Sequence, residues 1–578
     1  MIKILRDVLV KHVSAREITP QMTVEAFSNF LDLIDPMKIL LSKEDLNKIG
    51  YPTPSLYGEI QYNLVMNGQV SPPHEFLLRQ VNDRLDAYVR KFVHNEVFRD
   101  IVIERAKTIM KTGLTFPSDR PFGKKEIEGR VVDFLAVQMI RVTQTIQKTY
   151  SPNFEKSDLG PFLRTMREKI EATHQDLAAN NIEKLVAKSY LNTFDRHTDV
   201  FLSREQKQNT TFQGNGSKTK FGTVSQLSRE GFRISNIIKG SAADKAGLLE
   251  NDILVAYEVG FNSGLWKSYR NLTLEEYGNS LNGEPGTQLR VRVQRNNSEF
   301  ETIVTREVMS YSKFNVPTPE IRNSPSGPML GIKLTEFSKD AAAIIKEEIS
   351  RNLSNNLKGI LLDLRGNRGG LTTELSDLLQ LFVSRPNSMY TKSGGQVTVH
   401  RPDILDWAIW DGPLVILVDQ GSASAAEALS AALKSYKRAV VIGGPHTYGK
   451  GSMQEYATIG DTTYKYTTTF YYSPNGLPIQ WRGVEADIPL PITHRQPLER
   501  DERNSLNPKP LASGIPQAPP LITNLETITA SLKAKSIERL KRQDIGKTPQ
   551  EIYSQNYEEA YRILADWVEI DPTGNGGW

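Results

Sequence analysis

Cysteine is absent from this chain of 578 residues. Its absence excludes disulfides, thiolate nucleophiles, iron–sulfur clusters and cysteine-based zinc sites. Histidine is scarce, with eight residues, and neither sign of charge dominates, because 71 Lys and Arg face 67 Asp and Glu. A net charge of +4 over this length is too small to indicate a nucleic acid or an anionic membrane as a partner.

Long apolar runs are also missing. No run approaches the roughly 18 residues that a membrane helix needs, so we expect no transmembrane segment. The first twenty residues carry charges every few positions and lack the apolar stretch of a signal peptide. The sequence therefore leaves two locations open, a cytosolic protein or a secreted protein whose signal has been removed.

The remaining composition is that of a globular protein, with 39% apolar and 24% charged residues. At roughly 100–200 residues per domain, the length predicts several domains. Helical periodicity, short β-rich runs, strand–helix alternation and polar linkers follow one another along the chain, and indicate a multidomain α+β protein. The predicted divisions are a helical domain (1–205), a small β-rich domain (213–310), an α/β core (315–495), a linker (496–522) and a helical C-terminal region (523–578).

Within the α/β core, three strand ends carry residues suited to chemistry, since reactive groups in such sheets collect where strands end. The first is residues 363–370 (DLRGNRGG), where glycines let backbone N–H groups face a cleft and bind an anion or oxyanion. The second is residues 421–427 (GSASAAE), which place a serine hydroxyl at a strand-to-helix turn. A plain turn and an N-terminal helix cap are the respective alternatives.

The third strand end is residues 443–452 (GGPHTYGKGS). It fits the phosphate-loop pattern G-x-x-x-x-G-K up to Lys450, but Gly451 stands where a hydroxyl must bind Mg²⁺. The residues that follow look extended, whereas a phosphate loop leads into a helix. Nucleotide binding is therefore the weaker interpretation of this loop.

A serine nucleophile requires a base. Lysine can serve only when uncharged, which requires burial to lower its pKa from about 10.4. Four histidines are expected on helical surfaces far from the α/β layer, namely His12, His74, His94 and His174. His446 shares the loop of Lys450. On these grounds a Ser–Lys dyad and a Ser–His pair are both open.

The three motifs, in this order, resemble those of the tail-specific or C-terminal processing proteases, which are serine peptidases with a Ser–Lys dyad. The family patterns are D-L-R-x-N-x-G-G, V-D-x-x-S-A-S-A-x-E and G-x-x-x-x-G-K-G-x-x-Q. They correspond here to residues 363–370, 418–427 and 444–454, and residues 480–488 resemble the family's Q-x-x-G-V-x-P-D-I. The resemblance implies a ClpP/crotonase-like protease core.

The resemblance also implies roles for individual residues. Ser424 would be the nucleophile, Lys450 the general base, and Gln454 would orient the lysine amine. The oxyanion hole would use the backbone N–H groups of Ala425 and Gly370, with Gly369 as the alternative to Gly370. Asp195–Thr198 resembles the family's D-P-H-T, so His197 is expected to be structural.

Residues 221–254 resemble a PDZ domain. Such a domain adds an extended peptide to its sheet edge and captures the terminal carboxylate with loop amides. The corresponding loop here is Phe221, Gly222, Thr223 and Val224. The long helical flanks look like those of the larger Gram-negative tail-specific protease.

The resemblance thus implies a periplasmic serine endopeptidase that binds free, apolar C-terminal tails, with its signal peptide already removed. No cofactor and no metal are expected. The helical regions are expected to bind an adaptor or a second copy. The alternative is a catalytically inactive or gated PDZ scaffold, because Arg368, Arg196 and the length of the loop before Lys450 depart from the family pattern.

Overall fold

The chain divides into two compact units in a computed structural model, Met1–Met309 with Tyr456–Tyr466, and Ser310–Glu455 with Thr467–Trp578. The predicted core of residues 315–495 therefore lacks the stretch 456–466, which packs in the first unit. The structure describes residues 2–14, 18–35, 40–63, 69–112, 127–133, 135–137, 182–201, 219–227, 231–237, 241–269, 272, 274–296, 298–308, 315–316, 319–384, 386–403, 406–460, 462–492, 497–502, 504–511, 515, 517–540 and 548–571.

The first unit begins with helices, as its periodicity predicts. α2 has a cap at Thr19, whose Oγ1 accepts the Met22 N–H, and Pro20 at its first position, where the missing N–H costs nothing. The helices are α1 (Ile2–Lys11), α2 (Pro20–Ile34), α3 (Lys43–Lys48), α4 (Pro54–Tyr62), α5 (Pro72–His94), α6 (Glu96–Thr112) and α7 (Ile182–Leu191). A short strand, β1 (Asp199–Val200), follows and pairs with residues 464–465.

Two histidines of these helices are buried, which corrects the expectation that they lie on helical surfaces. His74 is 2% exposed, and its ring meets Phe27 and Phe30 edge-on at 5.2 and 4.6 Å. His12 Nε2 lies 2.7 Å from Asp195 Oδ2. Local periodicity does not reveal which neighbouring element covers a polar helix position. His174 and the side chain of His94 lie outside the described residues.

The Asp195 carboxylate organises residues 195–198, the segment in which His197 is expected to be structural. Its carboxylate accepts the His197 and Thr198 N–H groups at 2.6 and 2.9 Å and faces His12. These contacts hold the pKa of Asp195 at about 2, although burial alone would raise it. The turn is therefore built around one buried carboxylate.

A small β-rich domain completes the first unit. Its main sheet has the order β3-β4-β5-β7-β8, with β3 at one edge. A helix at Leu274–Leu281 lies between two of its strands. The elements are β2 (Thr219–Lys220), β3 (Thr223–Leu227), β4 (Phe232–Ile237), α8 (Ala242–Lys245), β5 (Ile253–Glu258), β6 (Trp266–Ser268), α9 (Leu274–Leu281), β7 (Gln288–Arg295), β8 (Ser298–Thr305) and β9 (Glu307–Val308).

The second unit contains the predicted alternation of strands and helices. Its elements are β10 (Glu320–Ser324), β11 (Gly327–Lys333), α10 (Ala341–Leu353), β12 (Gly359–Asp363), α11 (Thr372–Gln380), β13 (Met389–Ser393), β14 (Gln396–His400), β15 (Leu414–Val418), α12 (Ala425–Ser435), β16 (Val440–Gly443), β17 (Ser452–Ile459), β18 (Thr462–Tyr472), β19 (Ile488–Pro489), α13 (Leu525–Leu540) and α14 (Pro549–Ile570). The tip of the β17–β18 hairpin belongs to the first unit.

The central sheet of the second unit has the order β10-β11-β12-β15-β16-β19, and every pair is parallel except β10–β11. A parallel sheet must be covered on both faces. Helices α10, α11 and α12 contribute to the hydrophobic core on one face, and α13 and α14 to the core on the other. The C-terminal helices are therefore part of the core of this unit.

Among the described residues, no helix combines the length and apolar character needed to cross a bilayer.

Candidate active site

The predicted nucleophile, Ser424, lies at the turn between β15 and α12. Residues 419–424, here called the serine turn, follow a strand that is entirely buried. Ser424 has φ 58° and ψ −119°, which is strained for a residue other than glycine. Strain of this kind at a strand-to-helix turn holds an exposed nucleophile in place in the nucleophile elbow of hydrolases. The backbone of Ser424 therefore suits a reactive hydroxyl.

Residues 363–370, here called the glycine loop, are joined to the serine turn by Asn367. This side chain is fully buried, and its Nδ2 donates to the Leu334 carbonyl at 2.9 Å. Its Oδ1 accepts the Gly369 N–H at 2.8 Å, and its carbonyl accepts the Ala423 N–H at 2.8 Å. The loop and the turn are consequently fixed relative to each other.

Gly369 touches the nucleophile directly. It has φ 97°, and a Cβ at this position would lie 2.6 Å from Ser424 Cβ and 2.8 Å from the Ala425 nitrogen. Only glycine fits such a position. The Gly369 N–H is already bound by Asn367, so it is not free to bind an oxyanion.

The amides of Gly370 and Ala425 differ in this respect. Gly370 has φ 143°, and its neighbours on each side pair with Phe337 through the bonds Phe337 N–H to Gly369 O and Leu371 N–H to Phe337 O. Ala425 is the first residue of α12. Within the part of the chain that the structure describes, neither the Gly370 nor the Ala425 amide has a hydrogen-bond partner. Both amides are therefore available to a ligand beside Ser424.

Lys450 lies on residues 444–451, here called the lysine loop, between β16 and β17. Its side chain is half-buried, and its Nζ donates to the Ser452 carbonyl at 2.7 Å. Because β17 follows the loop, the helix required by a phosphate loop is absent from this position.

Gln454 lies in β17, close to the lysine loop. Its Nε2 donates to Ser452 Oγ at 3.0 Å and to Thr467 Oγ1 at 3.2 Å. Lys450 Nζ and Gln454 Nε2 thus both bind Ser452, which links the two side chains.

Glu427 is the residue to which sequence reasoning gave no role. It is fully buried, and its Oε2 accepts the backbone N–H groups of Ser424 at 2.9 Å and Lys450 at 2.8 Å. Its Oε1 accepts the Gly449 N–H at 2.6 Å and Thr447 Oγ1 at 2.5 Å. One carboxylate therefore joins the serine turn to the lysine loop.

Burial and hydrogen bonding shift the pKa of Glu427 in opposite directions. Burial raises its pKa to about 7, against four hydrogen bonds that each lower it. All four partners are donors, so the ionised form satisfies them best. The sequence did hold a signal, because Glu427 is the third residue of a helix whose cap is Ser424, the spacing of a capping box.

Tyr471 lies against the same group. Its hydroxyl donates to the Lys450 carbonyl and is also within hydrogen-bonding reach of the Ser424 side chain. Burial raises the pKa of Tyr471 well above its usual range, so the phenol is neutral. It adds a neutral donor between the serine and the lysine loop.

His446, the competing base, faces another space. It lines a cavity of about 600 Å³ together with Trp481, Arg482 and Arg500. Neither Ser424 nor Lys450 is among the residues that line this cavity. This placement favours Lys450 over His446 as the partner of Ser424.

The predicted carboxylate loop lies at the start of the edge strand β3. Phe221 is buried, its carbonyl accepts the Ala243 N–H at 2.9 Å, and Gly222 has φ 86°. Thr223 begins β3, which pairs with β4 on one side, while the side chain of Val224 lies outside the described residues. Tyr277 of α9 stacks on Phe232 at 3.8 Å. Its hydroxyl donates to Ser225 Oγ of β3 at 2.8 Å.

A strained serine beside two available amides and a lysine loop is suited to the formation of a covalent intermediate on serine. Residues 329–490 match the model of peptidase family S41. Residues 329–490 are thus similar to peptidase family S41, and the predicted resemblance to C-terminal processing peptidases is confirmed.

Curated proteins that are similar in sequence to this chain carry peptidase names. A "Probable CtpA-like serine protease" of Staphylococcus aureus is 28% identical over 302 residues, which are 52% of this chain and 58% of that protein. The chloroplastic "Carboxyl-terminal-processing peptidase 2" of Arabidopsis thaliana is 30% identical over 282 residues, 48% of this chain and 53% of that protein. The chain spans a little over half the length of these curated relatives.

Among solved structures, similarity extends to a photosystem II D1 C-terminal processing protease. It is 19% identical with a TM-score of 0.32, over 68% of this chain and 93% of that chain. A PDZ domain of a carboxy-terminal protease from Vibrio cholerae, in complex with peptide, is 15% identical with a TM-score of 0.15, over 16% of this chain and 96% of that chain.

Proposed function

We propose that this protein is a serine endopeptidase that cleaves protein substrates with Ser424 as nucleophile and Lys450 as base. The observation that carries the proposal is the convergence of the Ser424 and Lys450 backbones on the single buried carboxylate of Glu427. A carboxylate that only capped the helix would not need to bind a second loop that carries a lysine. The two available amides beside Ser424 complete an acyl-transfer site.

Proton transfer sets the requirement on Lys450. A neutral lysine amine can donate one N–H to the Ser452 carbonyl and still offer its lone pair to the Ser424 hydroxyl. Lys450 takes the proton as Ser424 Oγ attacks the scissile carbonyl, and the protonated lysine then gives it to the leaving amine. Water, deprotonated by the same amine, hydrolyses the acyl-enzyme.

Oxyanion binding is assigned to the Gly370 and Ala425 amides. Preorganised N–H donors stabilise the charge that develops on the tetrahedral intermediate, and the loss of one donor costs about 10²–10³ in rate. The Asn367 side chain and the Phe337 backbone pairing hold Gly370 without using its amide. The preference for Gly370 over Gly369 follows from that use of hydrogen bonds.

Tail recognition is assigned to the β3 edge. An extended peptide can add beside β3, an edge strand of the sheet formed by the described residues, with its carboxylate at Phe221–Val224. Apolar end residues are favoured because Phe221 and Tyr277 are aromatic and buried near this edge. The matched test is one substrate peptide made with a free C-terminal carboxylate and with a C-terminal amide, and the amide should bind and be cleaved more slowly.

Variants at the site test the chemistry. Ser424→Ala should abolish cleavage of a substrate with an apolar tail while its binding constant stays unchanged. Lys450→Ala should also abolish cleavage, and His446→Ala should leave it intact. Cleavage by Ser424→Ala, or equal losses in Lys450→Ala and His446→Ala, would contradict the assignment.

A gated or inactive PDZ scaffold is the second candidate. The observation that favours it is that Lys450 Nζ donates to the Ser452 carbonyl, so its own loop engages the amine. A fluorophosphonate probe, added with and without a tailed peptide, separates the outcomes. Labelling of Ser424 that needs the peptide indicates gating, labelling in both conditions indicates a constitutive enzyme, and no labelling in either indicates the scaffold.

We extend the proposal to the setting of the enzyme, a periplasmic role in protein processing or quality control. Osmotic-shock fractionation of cells that express the full-length gene product tests the location. Light scattering on the purified protein tests self-association. Co-purification with tagged wild type, compared with a variant altered in the helical flanks, tests an adaptor.

A further inference from the structure

The C-terminal helix α14 contacts the glycine loop at Arg365, whose guanidinium lies over the rings of Tyr553 and, at a greater distance, Tyr557. Tyr553 lies beyond residue 490, where the match to the peptidase family ends. The guanidinium of Arg365 stacks on the Tyr553 ring at 3.7 Å, and its Nη1 donates to the Tyr553 carbonyl at 2.7 Å. A residue outside the matched domain thus binds a residue of the loop that carries Gly370.

Arg365 has little freedom in this position. It is 5% exposed, and its Nε and Nη2 donate to the two carboxylate oxygens of Asp363 at 2.9 and 2.8 Å. The planar guanidinium therefore lies between a carboxylate and an aromatic ring, a geometry that arginine satisfies and lysine does not. With both sides occupied, the backbone at residue 365 is fixed.

The fixed backbone leads directly to the oxyanion amides. The next residue, Gly366, donates its N–H to Asp419 Oδ1 of the serine turn at 2.9 Å. Asn367 follows and binds the Gly369 N–H. Movement of Arg365 would therefore displace Gly369 and Gly370 relative to Ser424.

The Tyr553 ring is itself held in place. Its hydroxyl accepts a hydrogen bond from Lys333 Nζ at 2.9 Å, at the end of β11. Further along α14, Tyr561 and Leu564 fill the space left by Gly331 and Gly359, where side chains would collide with them. The helix is thus seated on the sheet, with Tyr553 at the end nearest the glycine loop.

We propose that Tyr553 is a positioning residue for the oxyanion amides and acts through Arg365, a role that rests on the proposed function. The effect is on geometry, so kcat should change and KM should not. A displacement of about 1 Å at reacting groups costs up to about 10²-fold in rate.

Three variants test this role. Tyr553→Ala should lower kcat about 10- to 100-fold with KM unchanged. Tyr553→Phe keeps the ring and loses only the Lys333 bond, so it should retain nearly full activity. Lys535→Ala is the matched control, because Lys535 pairs with Asp566 of the same helix at 3.2 Å, about three turns beyond Tyr553. It should leave kcat unchanged.

Amide hydrogen exchange over residues 363–371 gives a readout that does not depend on turnover. Exchange there should be about tenfold faster in Tyr553→Ala and unchanged in Tyr553→Phe and Lys535→Ala. Unchanged exchange and unchanged kcat in Tyr553→Ala would overturn the proposal, as would an equal loss in Lys535→Ala. If the wild type does not cleave, the proposed function fails, while the exchange result still decides whether Tyr553 positions the loop.

Discussion

Two buried titratable side chains, His74 in the first unit and Glu427 in the second, have opposite surroundings. His74 lies among aromatic rings, and its Nδ1 shares a hydrogen bond with Ser71 Oγ at 2.7 Å. Glu427 in the second unit accepts four hydrogen bonds from two separate loops. Burial lowers the pKa of His74 to about 3 and raises that of Glu427 to about 7.

The comparison shows that a shifted pKa does not by itself identify a functional site. Burial alone explains His74, whose neighbours are packing residues. Glu427 is different because its partners include the backbone of a strained serine and of a lysine. What distinguishes the functional carboxylate is the set of elements that it joins, and this agrees with the view that perturbed groups mark sites only together with geometry.

The largest effect on kcat is expected from a substitution at Gly369, where the glycine loop touches the serine turn. In Gly369→Ala the new Cβ would meet Ser424 Cβ, and φ 97° is unfavourable for alanine. We expect kcat to fall about 10³-fold, as for loss of an oxyanion donor. Gly222→Ala, at φ 86° in the first unit, is the control. It should weaken tail binding and leave cleavage of a short untailed peptide unchanged.

The variant Glu427→Gln tests whether the buried carboxylate of the second unit supports catalysis. The amide keeps the shape but places a donor against two donors, so two of the four hydrogen bonds are lost. We expect kcat to fall about 10²-fold and KM to change little, measured with one peptide substrate. Full activity in this variant would show that the carboxylate only caps the helix.

The pH dependence of Glu427 follows from its raised pKa. Between the unfolded value near 4.5 and the folded value of about 7, the folded state binds more protons, so stability falls as pH rises. From pH 5 to 7.5 the wild type should lose about 2 kcal/mol relative to Glu427→Gln, measured by denaturant unfolding. A difference that grows in the other direction would refute the assignment.

Through His74, the stability of the protein should depend on pH in the opposite direction. Its folded pKa of about 3 lies below the unfolded value of 6.5, so the unfolded state binds more protons in this window and stability falls as pH decreases. From pH 7 to 5 the loss should be about 2 kcal/mol. His74→Gln keeps a polar partner for Ser71 and does not titrate, so its unfolding should lack this component.

The smallest effect is expected at the β3 edge. Tyr277→Phe keeps the stack on Phe232 and removes only the hydrogen bond to Ser225. The stability of the first unit should fall by about 1 kcal/mol, measured by thermal unfolding. Cleavage of an untailed peptide should not change, and a change in it would connect this edge to the active site.

Local sequence patterns predicted the elements that position the site. The strand-to-helix turn expected at residues 421–427 lies between β15 and α12, and the extended segment expected after Lys450 corresponds to β17. These predictions rest on neighbours along the chain, since apolar runs and helical periodicity are local properties. The same reasoning was wrong for His12 and His74, because covering elements lie far away in sequence.

The sequence by itself determined that a serine stands at a strand-to-helix turn, that a lysine follows a later strand, and that no thiol can replace either. Only the tertiary structure decided that Glu427 joins the two, that Asn367 occupies the Gly369 amide and leaves Gly370 available, and that Tyr553 reaches Arg365. The reason is physical. A hydrogen bond between residues that are distant along the chain depends on how strands order in the sheet, and no local pattern encodes that order.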